Sequence, residues 1–203
     1  MSLMAKQIVL PIKDENVLKE VQDTLLNNFK YGRRNYTIFQ VGKATLLRVS
    51  DVLHLRYDDV YSQDGSIKHN AYIHDKKTGK ANTLFLEPVK EDLQDYYDWL
   101  KSNKIESEWL FPSLQKQHVG TDTPIQERQF YRIMQHVGEL LGINYLGTHT
   151  MRKTGAYRVY TQTGNDIALV MSLLNHSSQA MTLKYLGIDQ ETKEQKLKKV
   201  NFG

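Results

Sequence analysis

Cysteine is absent from this 203-residue chain, which excludes a disulfide framework, a thiolate nucleophile and any Cys-ligated zinc or iron–sulfur site. No apolar run approaches the roughly 20 residues needed to span a bilayer. The N-terminus, MSLMAKQIVLPIK, lacks the charged start, apolar stretch and cleavage site of a secretory signal, so a cytoplasmic location is expected. Internal repeats, low-complexity tracts and an obvious linker are missing too. Neither sign of charge dominates: 27 Lys+Arg stand against 23 Asp+Glu, a net of +4. What is present is ordinary for a soluble globular protein, 40% hydrophobic and 25% charged. The length fits one domain or one and a half and is ample for a core. Met1–Leu3, ahead of a second methionine at position 4, reads as an expression-vector remnant. Residues 4–203 then read as one domain.

The distribution of charge says more than its total. Residues 1–100 carry 14 basic and 14 acidic side chains, whereas residues 101–203 carry 13 and 9. The whole excess lies in the second half. Part of it is a solvated tail containing Lys193, Lys196, Lys198 and Lys199. A basic half is also what a polyanion site requires.

Periodicity predicts a mainly α fold. Asp14 is placed to cap a helix over 14–29, with Val17, Leu18, Val21, Leu25 and Phe29 at helical spacing. A more buried helix is expected over 34–47, its apolar pattern interrupted but not ended at Gly42, and a fresh start near Arg48. Two β-forming runs, 67–74 and 82–87, flank DKKTGK, where Thr78-Gly79 reads as a hairpin turn. Val89, Leu93, Tyr96, Tyr97 and Leu100 mark another helix. A loop with Pro112 and Pro124 follows, then helices over 126–141, 149–163 and 165–175 and a last one from Ser178. Trp99 and Trp109 read as packing residues. His54, His69, His74, His118 and His136 lack the spacing of a metal site.

The informative stretch is 146–187, LGTHTMRKTGAYRVYTQTGNDIALVMSLLNHSSQAMTLKYLG. His149 and Arg152 are three apart and share a helix face. His176 follows after a helix break, and Tyr185 comes nine residues later. Singly each is weak, since a lone His near a helix start is commonly a cap or core residue. As an ordered set they resemble the catalytic domain of the tyrosine recombinases, or phage integrases. In that family an arginine lies early on a helix, a lysine on a hairpin, then a His-x-x-Arg pair, a further His or Trp, and a tyrosine. Here the positions match Arg48 in TLLRVSDVLHL, with Asp51 three residues on, Lys77 in KKTGK, His149, Arg152, His176 in LLNHSS and Tyr185 in TLKYLG. The likeness covers roughly residues 10–190. Lys76 and Lys80 flank Lys77, whose choice rests on the KTGK match. Two departures stand out: Leu46 and Asn175 occupy positions where the family usually has glycine, and both favour a tight backbone.

The resemblance implies a mainly α fold with a small antiparallel hairpin and an enzyme that cleaves and rejoins double-stranded DNA. Arg48 and Arg152 would clamp the non-bridging oxygens bidentately, a task that suits a planar guanidinium. His149 and His176 would donate hydrogen bonds to the phosphate, with His149 also a general base. Lys77 would protonate the departing 5′-oxygen. Tyr185 would attack phosphorus and hold the DNA as a 3′-phosphotyrosine, reversible by a 5′-hydroxyl without ATP. No metal or cofactor is expected. Arg33, Arg34, Lys43 and Arg158 are further candidates for phosphate contact, each weighed against an ordinary solvated charge. The family also implies a homotetramer on two DNA sites, monomeric when free, accessory DNA-bending proteins, a tail (186–203) docking on a neighbouring protomer, and a separate N-terminal DNA-binding domain that this chain leaves no room for. Competing readings are a type IB topoisomerase-like activity and a DNA-binding module that kept the fold without the reaction.

Overall fold

The protein is described from a computed structural model, which covers residues 8–77, 79–114, 121–188, 194 and 197–201. Met1–Leu3 and His118 lie outside the described residues, as does much of the tail. No helix among the described residues is long and apolar enough to cross a membrane.

Helix α1 spans Glu15–Asn27 and starts as expected: Asp14 Oδ1 accepts from the Asn16 and Val17 amides at 2.8 and 3.0 Å. Its Leu18, Val21 and Leu25 enter the core. Helix α2, Gly32–Thr45, runs through the middle and is buried over most of its surface. The apolar pattern breaks at Gly42 because this is where α7 (Thr150–Gln162) crosses closely. Met151 packs where a Cβ on Gly42 would stand, and a Cβ on Gly155 of α7 would fall on the Lys43 carbonyl. Two glycines thus set the spacing of the helices that lead to Arg48 and carry Arg152.

After α2 the chain reverses at Leu46, φ 55°, and Arg48 becomes the extended N-cap of α3 (Val49–Leu53). A short α4, Tyr57–Val60, was not foreseen from periodicity; four residues are too few to show it. Strands β1 (Asn70–His74) and β2 (Ala81–Phe85) form one antiparallel hairpin, with Tyr72 opposite Thr83. Ala71 and Leu84, also opposite each other, pin it to the core. The strands are shorter than the sequence suggested. Lys68 N donates to Val60 O at 2.8 Å, so the first residues pair with the end of α4 rather than with β2. The chain leaves β2 through Leu86 into a 3-10 turn at Glu87–Val89.

Helices α5 (Lys90–Ser102) and α6 (Glu127–Leu141) complete the main core, and Trp99 stacks on Tyr96 within it. Trp109 instead lies half-buried beneath the Arg56 guanidinium, 3.6 Å from its ring centroid. Helices α8 (Ile167–Leu174) and α9 (Gln179–Tyr185) fold onto α7 around a second apolar cluster. Leu46, Ala156, Tyr160, Val170, Leu174 and Leu186 form that cluster. Arg48 therefore emerges on the main core while Tyr185 is held by the smaller one, and α7 joins the two.

Candidate active site

Arg48 points its guanidinium between two carboxylates. Nη1 lies 3.2 Å from Asp75 Oδ2 and 4.0 Å from Asp51 Oδ2. Both carboxylates are buried. Asp51 Oδ1 accepts from the Lys76 amide at 2.9 Å, while its Oδ2 has no hydrogen-bond partner. The turn of the hairpin is thereby tied to Arg48 twice, once through each aspartate. Within the turn Gly79 takes φ 65° and its amide reaches Asp75 O. The Lys76 ammonium bonds His54 Nε2 at 2.8 Å, and the other ring nitrogen faces Ser50 O at 2.7 Å. Lys77 stands exposed beside it at the turn.

Arg152 sits one turn into α7, 6% exposed, and Nη2 donates to Leu174 O at 3.0 Å. That carbonyl is free to accept because α8 ends there, with Asn175 at φ 55° as its left-handed cap. Both residues that replace the family's usual glycines, Leu46 and Asn175, therefore adopt the conformation glycine favours. The substitutions add strain without redirecting the chain. Leu46 is offset by burial in the second cluster; Asn tolerates this region better than most residues.

His149 is the N-cap of α7. Burial, then the charges of Arg152 and Lys153, hold its imidazole below the ordinary 6.5. His176 is likewise lowered, by burial and then by Arg152 and Arg48. Its Nδ1 lies 3.1 Å from Thr182 Oγ1, and that hydroxyl donates to Ser178 O at 3.0 Å. One hydroxyl hydrogen cannot serve both, so in the neutral ring Nδ1 carries the proton and Nε2 does not.

Tyr185 ends α9, its ring edge-on to His176 at 5.2 Å and 87°. Its Oη is shut off from solvent without a hydrogen bond; the Arg152 guanidinium faces it in a contact too loose to count as one. Burial pushes the phenol up, and Arg152 and then Arg48 pull against it. The fields of both arginines are thus felt at His149, His176 and Tyr185. Five of the six candidates converge; Lys77 remains outside at the hairpin turn.

The four further candidates for phosphate contact fare differently. Arg34 is corrected: it is 1% exposed, donates to Pro112 O at 2.8 Å and Asn35 Oδ1 at 3.2 Å, and burial lowers it to about 10. Its guanidinium ties α2 to the segment before α6 and has no outward face. Arg33 pairs with Asp95 at 3.1 Å and Arg158 with Glu15 at 2.7 Å. Lys43 is half-buried and brought down to about 8, chiefly by burial and then by Arg158. Asp75, Thr182 and Lys153 were not singled out from the sequence. Only Asp75 had a signal, as the acidic residue beginning DKKTGK. Among the described residues no three His, Asp or Glu side chains gather as metal ligands.

Two guanidiniums, two imidazoles and a buried phenol thus converge on one site of a mainly helical fold, a set of groups whose chemistry suits an anionic phosphate. The phage integrase family model matches residues 14–192. The probable integrase/recombinase YoeC of Bacillus subtilis (strain 168) is 38% identical over 185 residues, 91% of this chain and 93% of that protein. Tyrosine recombinase XerC of Staphylococcus saprophyticus is 27% identical over 181 residues, and there the chain spans 57% of the relative's length. Among solved structures, XerA recombinase superposes with a TM-score of 0.69 at 19% identity, covering 99% of this chain and 68% of that one. XerH bound to palindromic difH substrate, a post-cleavage complex, gives 0.67 at 16%, covering 97% and 54%. The chain belongs to the phage integrase family of tyrosine recombinases, enzymes of site-specific DNA recombination.

Proposed function

We propose that this site cleaves and rejoins one strand of duplex DNA at a time through a covalent 3′-phosphotyrosine on Tyr185. The observation that carries the reading is the placement of the phenol: shielded from water, without a hydrogen bond, and facing the guanidinium pair. Arg48 and Arg152 neutralise charge that develops on the non-bridging oxygens. Tyr185 Oη attacks phosphorus as its proton passes to His149, kept neutral at pH 7 by its surroundings. The P–O5′ bond breaks and Lys77 supplies the proton to the departing oxygen. The negative charge of a bound phosphate favours the His176 imidazolium, so Nε2 takes a proton from solvent as DNA binds and donates a hydrogen bond to the phosphate. A 5′-hydroxyl of a second strand then reverses the step, and the released proton returns to Lys77's amine.

Lys77 is favoured over its neighbour because Lys76 is engaged with His54, whereas Lys77 stands exposed on the turn that Asp51 and Asp75 tether to Arg48. The left-handed turns kept at Leu46 and Asn175 weigh against a module that lost the reaction. Strand exchange between two duplexes calls for four protomers on paired sites, and XerH bound to difH supplies a related example of DNA engagement. Arg33 and Arg158 would reach phosphates only by leaving Asp95 and Glu15.

The test is a pool of nicked suicide duplexes of randomised sequence, incubated with the protein and denatured in detergent. A covalent protein–DNA adduct is expected from the wild type and none from Tyr185→Phe. An adduct that persists in Tyr185→Phe, or none from wild type, refutes the proposal. Relaxation of supercoiled plasmid carrying the selected sequence, without recombinant products, would instead identify topoisomerase-like chemistry.

A further inference from the structure

Lys153 has no part in the chemistry described so far. It follows Arg152 on α7 and is half-buried, and its ammonium lies 4.9 Å from the centroid of the Tyr185 ring, within cation–π range. The same Nζ donates to Val9 O at 2.8 Å. The ammonium is therefore fixed from two directions, by the aromatic face and by a backbone carbonyl.

The segment supplying that carbonyl is itself well anchored. Leu10 N donates to Tyr145 O at 3.3 Å and Ile12 N to Thr154 Oγ1 at 3.0 Å. Lys13 Nζ donates to Gly187 O at 2.7 Å, just past the nucleophile. Val9 fits because residue 147 is glycine: a Cβ there would lie 2.9 Å from Val9 Cγ2. One strap of chain thus braces α7 and the residues following Tyr185.

Helix α9 has only seven residues and much of it is exposed, so its own backbone holds the ring weakly. Swinging about its two side-chain torsions would carry Oη away from the arginines. His176 blocks one edge of the ring, and the Lys153 ammonium covers a face. We infer that Lys153 is a positioning residue for the nucleophile, its cation holding the Tyr185 ring so that Oη faces Arg48 and Arg152. This rests on Tyr185 being the nucleophile, as proposed above. Orientation of this kind acts on the chemical step rather than on DNA affinity.

Lys153→Gln keeps an amide that can donate to Val9 O and removes the charge; Lys153→Arg keeps a cation able to lie over the ring. With the duplex selected from the randomised pool, Lys153→Gln should form adduct about tenfold more slowly, and Lys153→Arg at about the wild-type rate, the loss matching a part-desolvated cation–π contact. Duplex affinity should stay within about twofold for both, since the ring and not the phosphate clamp is disturbed. In the free protein, NMR should show a nuclear Overhauser contact between the Lys153 ε-protons and a ring resonance that disappears in Tyr185→Phe. That resonance should shift in Lys153→Gln and return toward wild type in Lys153→Arg. Wild-type adduct rates in Lys153→Gln, or the absence of that contact, would overturn the inference. If wild type forms no adduct, the nucleophile reading fails, and the ring contact in the free protein still decides where Lys153 sits. Should Lys153→Gln not fold, the wild-type contact and the rate of Lys153→Arg remain decisive.

Discussion

His149 and His176 each face a cationic neighbourhood while partly withdrawn from water, and both imidazoles are held below their ordinary 6.5. The sign of the resulting pH dependence follows from linkage. The unfolded chain takes up these protons near pH 6.5, whereas the folded chain resists until the pH is lower, so in between the unfolded state binds more protons. Stability is full above about pH 6.5 and is lost as pH falls from there through the lower folded values. Thermal melts between pH 7.5 and 5.5 should show a fall in Tm for wild type that is smaller in His149→Gln/His176→Asn. An equal fall in both proteins would locate the effect elsewhere. At the same scale, Arg34 shows why a residue's fate was only partly legible. A lysine or arginine carries no local mark of burial; what draws this guanidinium inside is the Pro112 carbonyl, 78 positions away. Arg48, His149, Arg152, His176 and Tyr185 could be proposed because they stand in the order of the family's motif, which a sequence displays without its fold. Lys153 could not, because its contact with Tyr185 depends on how α7 and α9 meet.

At the scale of elements, several helix starts were legible because their caps are local: Asp14 before α1 and Ser178 before α9. The approach of α2 to α7 was not, since Gly42 and Gly155 look like mere interruptions until the partner helix is present. Their role is testable. A methyl group on Gly155 would meet the Lys43 backbone carbonyl, which cannot rotate away as a side-chain end could. Gly155→Ala should therefore cost about 3 kcal/mol, the upper range for overpacking, despite alanine's better helix propensity. Denaturant unfolding would measure it. The site should suffer as well, because spreading these helices separates Arg152 from the Arg48 turn. Gly42→Ala should be milder, since it meets the flexible Met151 side chain. Equal losses for the two would mean that the crossing is not the constraint. The hairpin obeys similar logic: its turn was readable at Gly79, Thr78 lying outside the described residues, but its tether through Asp51 and Asp75 to Arg48 joins residues far apart in sequence.

Over the whole molecule, the charge distribution sets how DNA would be held. The net charge is only +4, and several basic side chains are already engaged: Arg34 inside the core, Arg33 with Asp95, Arg158 with Glu15 and Arg56 with Glu108. Residues 14–192 match the family, and the chain spans 57% of the XerC relative it resembles. Arg48, Arg152 and Lys77 are the cations that the proposed mechanism puts at the cleaved phosphate. Because those three cations meet a single phosphate, their own share of the slope of log K against log salt is about −1, each neutralised phosphate contributing about −0.9. Fluorescence anisotropy with a labelled duplex across a salt series would measure that slope. Because Arg152 is the buried member of the clamp and Arg48 the more accessible one, Arg48→Ala should weaken binding and make the slope shallower. A slope near −10 in wild type, unchanged by Arg48→Ala, would mean that an extended basic surface grips the duplex and that the arginine pair contributes little to holding it.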